Sequence, residues 1–108
     1  MAITAAVYRD TTDFPREELY GITSQMRRAC VSVPTNIAEG FGRETTGAFI
    51  QFLRIAQGSL KELETLVELS SQLGFLATDK FESLNSDIVR LSKMLRALIR
   101  ALKRRNGS

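Results

Sequence analysis

The sequence predicts an all-α protein, an up-and-down four-helix bundle with a short first helix. Apolar residues recur every three or four positions through three long segments, the period of an amphipathic helix. No segment alternates apolar and polar residues for long enough to suggest a sheet. The links between the long segments span about four residues, and links that short set neighbouring helices antiparallel. With 108 residues, 44% of them hydrophobic, the chain makes one domain, residues 1–108, able to bury roughly two-thirds of the surface its unfolded form exposes.

The helices are expected at about 2–11, 15–41, 46–73 and 78–104. Ala5, Ala6 and Tyr8 support a first helix of two or three turns, and Thr12 and Asp13 follow it with turn and cap oxygens. The second helix opens at Phe14-Pro15, with Glu17 and Glu18 where the helix dipole favours anions. Leu19, Ile22, Met26, Cys30, Val33, Ile37 and Phe41 form its core stripe. Tyr20, Val31 and Ala38 fall about 100° from that stripe, a second apolar strip that implies contact beyond the bundle. Pro34 lies inside the pattern and should kink the helix. Gly40 and Gly42 end it.

Thr45 or Thr46 caps the third helix, in which Phe49, Phe52, Leu53, Ala56, Leu60, Leu63, Val67 and Leu73 make a broad apolar stripe. Arg54, Lys61, Thr65, Glu68 and Gln72 line the opposite side. Gly58 stands on that polar side in mid-helix, where glycine costs about 1 kcal/mol relative to alanine; it is either a tolerated glycine or a point of close approach for another chain or a ligand. Gly74 closes the segment. The fourth helix starts near Thr78-Asp79 and keeps Phe81, Leu84, Ile88, Leu91, Leu95, Leu98, Ile99 and Leu102 on one face, with Asn106, Gly107 and Ser108 as a frayed tail. The first helix has less than half the length of the others, so apolar side chains along part of the bundle lack cover, and self-association is the usual remedy.

Charge is unevenly placed. Residues 1–87 carry eight basic and twelve acidic side chains, whereas residues 88–108 carry seven basic and no acidic ones. Arg90, Lys93, Arg96, Arg100, Lys103 and Arg104 fall within an arc of about 140° beside the apolar face of the last helix. Such a stripe suits a polyanion or an acidic partner, or it is a solvated face whose last cations complement the helix dipole.

The absence of histidine removes imidazole proton transfer and every His-containing metal site. No Gly-rich phosphate loop or nucleophile elbow occurs, and Glu39, Glu62, Glu64 and Glu68 do not amount to a catalytic constellation. The expectation is a protein that is not an enzyme and holds no cofactor or metal. Cys30, the one cysteine, reads as a small core hydrophobe and is compatible with a reducing cytoplasm. No apolar run approaches the roughly 18 residues of a membrane span, and no signal peptide is apparent.

Ser32, Asn36 and Glu39 lie near one side of the second helix. A kink at Pro34 would free the carbonyl of Cys30, and Asn36 and Glu39 either brace that kink or contact a ligand or RNA. Arg27 neighbours the second apolar strip and is expected, with Tyr20, Val31, Ala38 and Gly58, at an oligomer contact. Arg28 and Arg43 are expected to be exposed and are candidates for phosphate contact.

The run Ser24-Gln25-Met26-Arg27-Arg28-Ala29-Cys30-Val31-Ser32-Val33-Pro34-Thr35-Asn36-Ile37-Ala38-Glu39-Gly40-Phe41-Gly42-Arg43 resembles the signature of the bacterial "four helix bundle protein" family. The runs Phe52-Leu53-Arg54-Ile55-Ala56-Gln57-Gly58-Ser59-Leu60-Lys61-Glu62-Leu63-Glu64-Thr65 and Leu73-Gly74-Phe75-Leu76 match it too. That family includes proteins encoded in intervening sequences of the large-subunit ribosomal RNA gene, and a related branch is the accessory variability protein of diversity-generating retroelements. The resemblance implies a four-helix protomer in a ring-shaped homopentamer with a basic surface and, for the retroelement branch, binding to nucleic acid and a reverse transcriptase. Against the family pattern the first helix here is short, and Cys30 stands where a small residue such as Ala is usual.

The resulting expectation is a cytoplasmic homo-oligomer that binds RNA or DNA through the stripe on its last helix, mainly by phosphate contact. The competing expectation is a protein-interaction scaffold, in which the stripe docks an acidic partner or only keeps the assembly soluble.

Overall fold

The computed structural model describes residues 1–107 and contains four α-helices: α1 (Ala2–Thr11), α2 (Ile22–Phe41), α3 (Thr46–Gln72) and α4 (Thr78–Gly107). A single 3₁₀ turn, Arg16–Glu18, lies between α1 and α2. α1 packs on α2 and α4, and α3 packs on the same two helices from the other side. The bundle is elongated, 50 × 23 × 18 Å, because α3 and α4 run for 27 and 30 residues while α1 covers α2 and α4 for only ten.

Each helix end has a local cause. The hydroxyls of Thr11 and Thr12 turn back onto the carbonyls of Val7 and Tyr8 at 2.7 and 2.9 Å, occupying acceptors at the end of α1. α3 begins at the Thr45 hydroxyl, which accepts from the Ala48 N–H at 3.1 Å. It ends in a Schellman motif: the N–H groups of Gly74 and Phe75 donate to the carbonyls of Ser71 and Ser70, with Gly74 at φ +78°.

The core draws on every helix. Val7, Met26, Leu53, Leu63, Leu84 and Ile88 are among its fully enclosed side chains. α1 contributes Ile3 and Val7, and Phe14 follows from the linker to stack tilted against Phe75 at 5.7 Å. At the other end of α2 the packing leaves no room beyond a hydrogen, since a Cβ on Gly40 would stand 2.7 Å from the Phe49 ring.

The second helix departs most from expectation. It starts at Ile22 rather than near residue 15. Pro15 is extended (φ −53°, ψ 138°) and Gly21 adopts φ −106°, ψ −114°, so the backbone leaves helical geometry on both sides of the 3₁₀ turn. Leu19 consequently misses the core and is 46% exposed, and Tyr20 stands almost free at 91%. Phe41, at the last position of α2, overhangs the bundle and rests on Phe49 with ring centroids 4.8 Å apart. Leu73 is likewise exposed beyond the end of α3. α4 extends to Gly107 in place of the expected frayed tail, and Ser108 lies outside the described residues.

Candidate nucleic-acid interface

α4 presents the expected stripe. Arg90, Lys93, Arg96, Arg100, Lys103 and Arg104 are all exposed, while Leu84, Ile88, Leu95, Ile99 and Leu102 on the adjoining face are buried. Helical periodicity thus keeps the ammonium and guanidinium groups in water while the same helix buries its apolar side.

The stripe is not confined to one helix. Ser92, Lys93 and Arg96 of α4 face Gln57, Lys61 and Glu64 of α3 across a groove of about 250 Å³, with Leu60 and Ile88 also contributing to its lining. Lys61 Nζ pairs with Glu64 at 2.9 Å, and that hydrogen bond, followed by the charge of Glu64, holds the Lys61 ammonium above the usual lysine range. Arg96 donates to the Ser92 hydroxyl at 3.4 Å. Arg90 is tied to Asp87 at 3.3 Å. Lys93, Arg100 and Lys103 have no ion pair among the described residues. Arg54 is exposed two turns before Lys61 on α3. The sequence placed Arg54 and Lys61 on a polar face; that this face borders the α4 stripe follows from the packing of α3 on α4.

The second apolar strip of α2 lines a wider groove of about 710 Å³ with Tyr8, Leu19, Tyr20, Arg27, Arg28, Val31 and Asn36. Val31 is 40% exposed, and Ala38 is exposed two turns further along. Gly58 is not part of this groove. It sits on the solvent side of α3 with nothing within 4 Å of where a Cβ would stand, so the structure does not bring it together with Tyr20 and Val31.

Arg27 lines this groove and is also engaged within the protomer. Its Nε donates to Thr11 Oγ1 at 3.0 Å, its Nη2 to the Tyr8 carbonyl at 3.5 Å, and its guanidinium lies 4.8 Å from the centre of the Tyr8 ring. It fastens α1 to α2 inside the protomer. Arg28 is exposed along the groove. Arg43 is held at 2.9 Å by Glu39 and stacks over Phe52 at 4.6 Å, which leaves it less available to phosphate than Arg28.

The polar brace around Pro34 consists of Ser32 and Asn36 of α2, Ser59 of α3 and Thr4 of α1, whose hydroxyl donates to the Cys30 carbonyl. Asn36 Nδ2 donates to the Ser32 carbonyl at 2.8 Å and to Ser32 Oγ at 3.0 Å. Ser32 Oγ and Ser59 Oγ share a 2.7 Å hydrogen bond between α2 and α3. Glu39, expected in this brace, is exposed and turned to Arg43 instead. Burial pushes the Cys30 thiol up, with a hydrogen bond from its own backbone N–H and the Arg27 charge opposing. Among the described residues no helix is long and apolar enough to cross a membrane.

Residues 1–97 match the model of a family described as 23S rRNA-intervening sequence protein. A crystal structure of a protein of unknown function from the S23 ribosomal protein family of Bacteroides thetaiotaomicron superposes with a TM-score of 0.79 at 24% identity, covering 89% of this chain and 87% of that one. At that identity the likeness concerns the fold. No curated protein matches the chain significantly.

Proposed function

The chain belongs to the 23S rRNA-intervening sequence protein family, and on that premise we propose that it is a non-enzymatic, homo-oligomeric accessory protein that binds RNA or DNA through the cationic face shared by α4 and α3. The observation that carries this reading is the convergence of Lys93 and Arg96 with Lys61 on one groove, continued along α4 by Arg100 and Lys103. Only Glu64 among the residues lining that groove is acidic. Cations spaced along an exposed helix neutralise successive phosphates and release counterions, which supplies affinity with little base reading. Base stacking has few partners here, because the exposed aromatics Tyr8, Tyr20 and Phe41 do not line this groove.

Self-association is the second half of the proposal. The groove bearing Leu19, Tyr20 and Val31 is an apolar surface of the kind usually covered by another subunit. A ring, a pentamer by the family resemblance, would repeat the cationic face and convert weak single sites into useful avidity. A reverse transcriptase or another cytoplasmic polymerase is the partner class that such a nucleic-acid-bound ring would assist.

Replacing Arg96, Arg100 and Lys103 together by Glu tests the site. Binding of a short single-stranded RNA, read by fluorescence anisotropy, should be lost while light scattering reports an unchanged oligomer. Retained RNA binding by that variant would reject the face as the site, and a monomer for the unmodified protein at micromolar concentration would reject the assembly.

A further inference from the structure

A separate cavity of about 250 Å³ lies at the junction of α1, the 3₁₀ turn and α2, lined by Thr11, Thr12, Phe14, Arg16, Thr23 and Arg27 among others. None of its lining residues is acidic, and none belongs to the α3–α4 groove. Neither arginine has an ion pair among the described residues. Arg27 is half-buried and spends Nε and Nη2 on Thr11 and Tyr8, whereas Arg16 is exposed at the rim.

Thr23 is the second residue of α2 and is 2% exposed, and its hydroxyl has no hydrogen-bond partner. Buried hydroxyls are rarely left so. The other lining hydroxyls are already committed, Thr11 to the Val7 carbonyl and Thr12 to the Tyr8 carbonyl. The start of α2 is also unanswered: Gly21 at the N-cap offers no side chain, no side chain caps the first turn, and no acid stands in it. Glu18 brings Oε2 within 3.0 Å of where a Cβ on Gly21 would stand but makes no cap bond. A helix start, two guanidinium groups without a carboxylate partner and an orphaned hydroxyl are the components from which oxyanion sites are made.

We propose that this cavity binds a phosphate-class oxyanion, with Arg16 and Arg27 supplying the charge and the Thr23 hydroxyl donating a hydrogen bond. The anion is either free orthophosphate or a phosphate of a nucleic-acid chain; the two share the chemistry and differ in the test.

Inorganic phosphate titrated into the full chain at constant ionic strength, against a chloride control, should bind saturably by calorimetry, one per protomer, and raise Tm. Thr23→Val and Arg16→Gln should each weaken that binding roughly tenfold, the loss of one charge-assisted or buried hydrogen bond. Thr23→Val removes an unpaired polar atom and so should fold at least as stably as the original without phosphate, which separates loss of the site from loss of the fold. If the two variants also weaken a 5′-phosphorylated RNA more than its 5′-hydroxyl counterpart, the source is nucleic acid; if orthophosphate alone is affected, it is the free anion. No phosphate-specific rise in Tm, or undiminished binding in both variants, means that the cavity holds water only and overturns the proposal. Since the α3–α4 face is untouched by these variants, its failure and the failure of this site are read separately.

Discussion

The hydroxyl of Thr4 donates to the carbonyl oxygen of Cys30 across 3.4 Å. That carbonyl is the acceptor that Pro34, four residues on, leaves without its helical donor. α1 therefore repairs, from outside, a gap that the sequence of α2 creates. Thr4→Val should cost about 1 kcal/mol in urea unfolding, and most of that cost should vanish in a Pro34→Ala background, where the helix supplies its own N–H. An equal cost in both backgrounds would refute the coupling.

Asn36 is bonded to Ser32, and Ser32 is bonded to Ser59 on α3. Asn36→Leu should lower stability by about 1–3 kcal/mol, the range for disturbing a partly buried polar network. RNA affinity at a temperature where the variant is folded should be unchanged. A stable variant with lost binding would assign Asn36 to ligand contact instead.

Three glycines should respond in three ways. Gly74 holds φ +78°, so Gly74→Ala should destabilise by about 1 kcal/mol or more. Gly58 has open space around it, and Gly58→Ala should stabilise by up to about 1 kcal/mol. Gly40→Ala drives a methyl group against Phe49 and should cost about 1–3 kcal/mol. Thermal denaturation of the three variants distinguishes these outcomes.

Salt should weaken RNA binding steeply, with a log–log slope of roughly −0.7 for each single-strand phosphate engaged. Arg100→Gln should reduce the magnitude of the slope by about the value of one contact. Glu64→Gln should act oppositely and tighten binding, because Glu64 holds Lys61 and is the acidic residue of the groove. A tightening that persists undiminished in Lys61→Gln would show that the carboxylate charge, rather than the pairing, is what matters.

Burial raises the Cys30 thiol above its ordinary value, so the native state holds that proton more tightly than the unfolded chain does. The associated stability is complete below the ordinary thiol pKa and declines as pH rises through it towards the native value. Urea unfolding at neutral and alkaline pH should reveal this loss, and Cys30→Ala should abolish that part of it. In the native protein a thiol reagent should react with Cys30 only as fast as the core opens.

How far the sequence reached differs by feature. The stripes of α3 and α4, a threonine cap at Thr45 or Thr46 and the Gly74 stop were legible because each is a local pattern with a local physical cause; the structure selects Thr45. The start of α2 was not. Pro15, Glu17 and Glu18 are ordinary first-turn residues, and the apolar period runs on through Leu19; what breaks the helix is the conformation of Gly21, which a glycine permits and does not announce. Glu39 was misplaced for a similar reason, since its position on the helix suits both Asn36 and Arg43, and only the packed structure selects Arg43.

For this protein the sequence alone determined the number and type of the helices and the cationic edge of the last one, because periodicity specifies which way a side chain points from its own helix axis. Periodicity says nothing about what stands opposite. That Lys61 and Glu64 meet Lys93 and Arg96, that Thr4 reaches Cys30, and that the Thr23 hydroxyl is buried without a partner were decided by the tertiary structure, where the fit of four helices against one core sets which faces become neighbours.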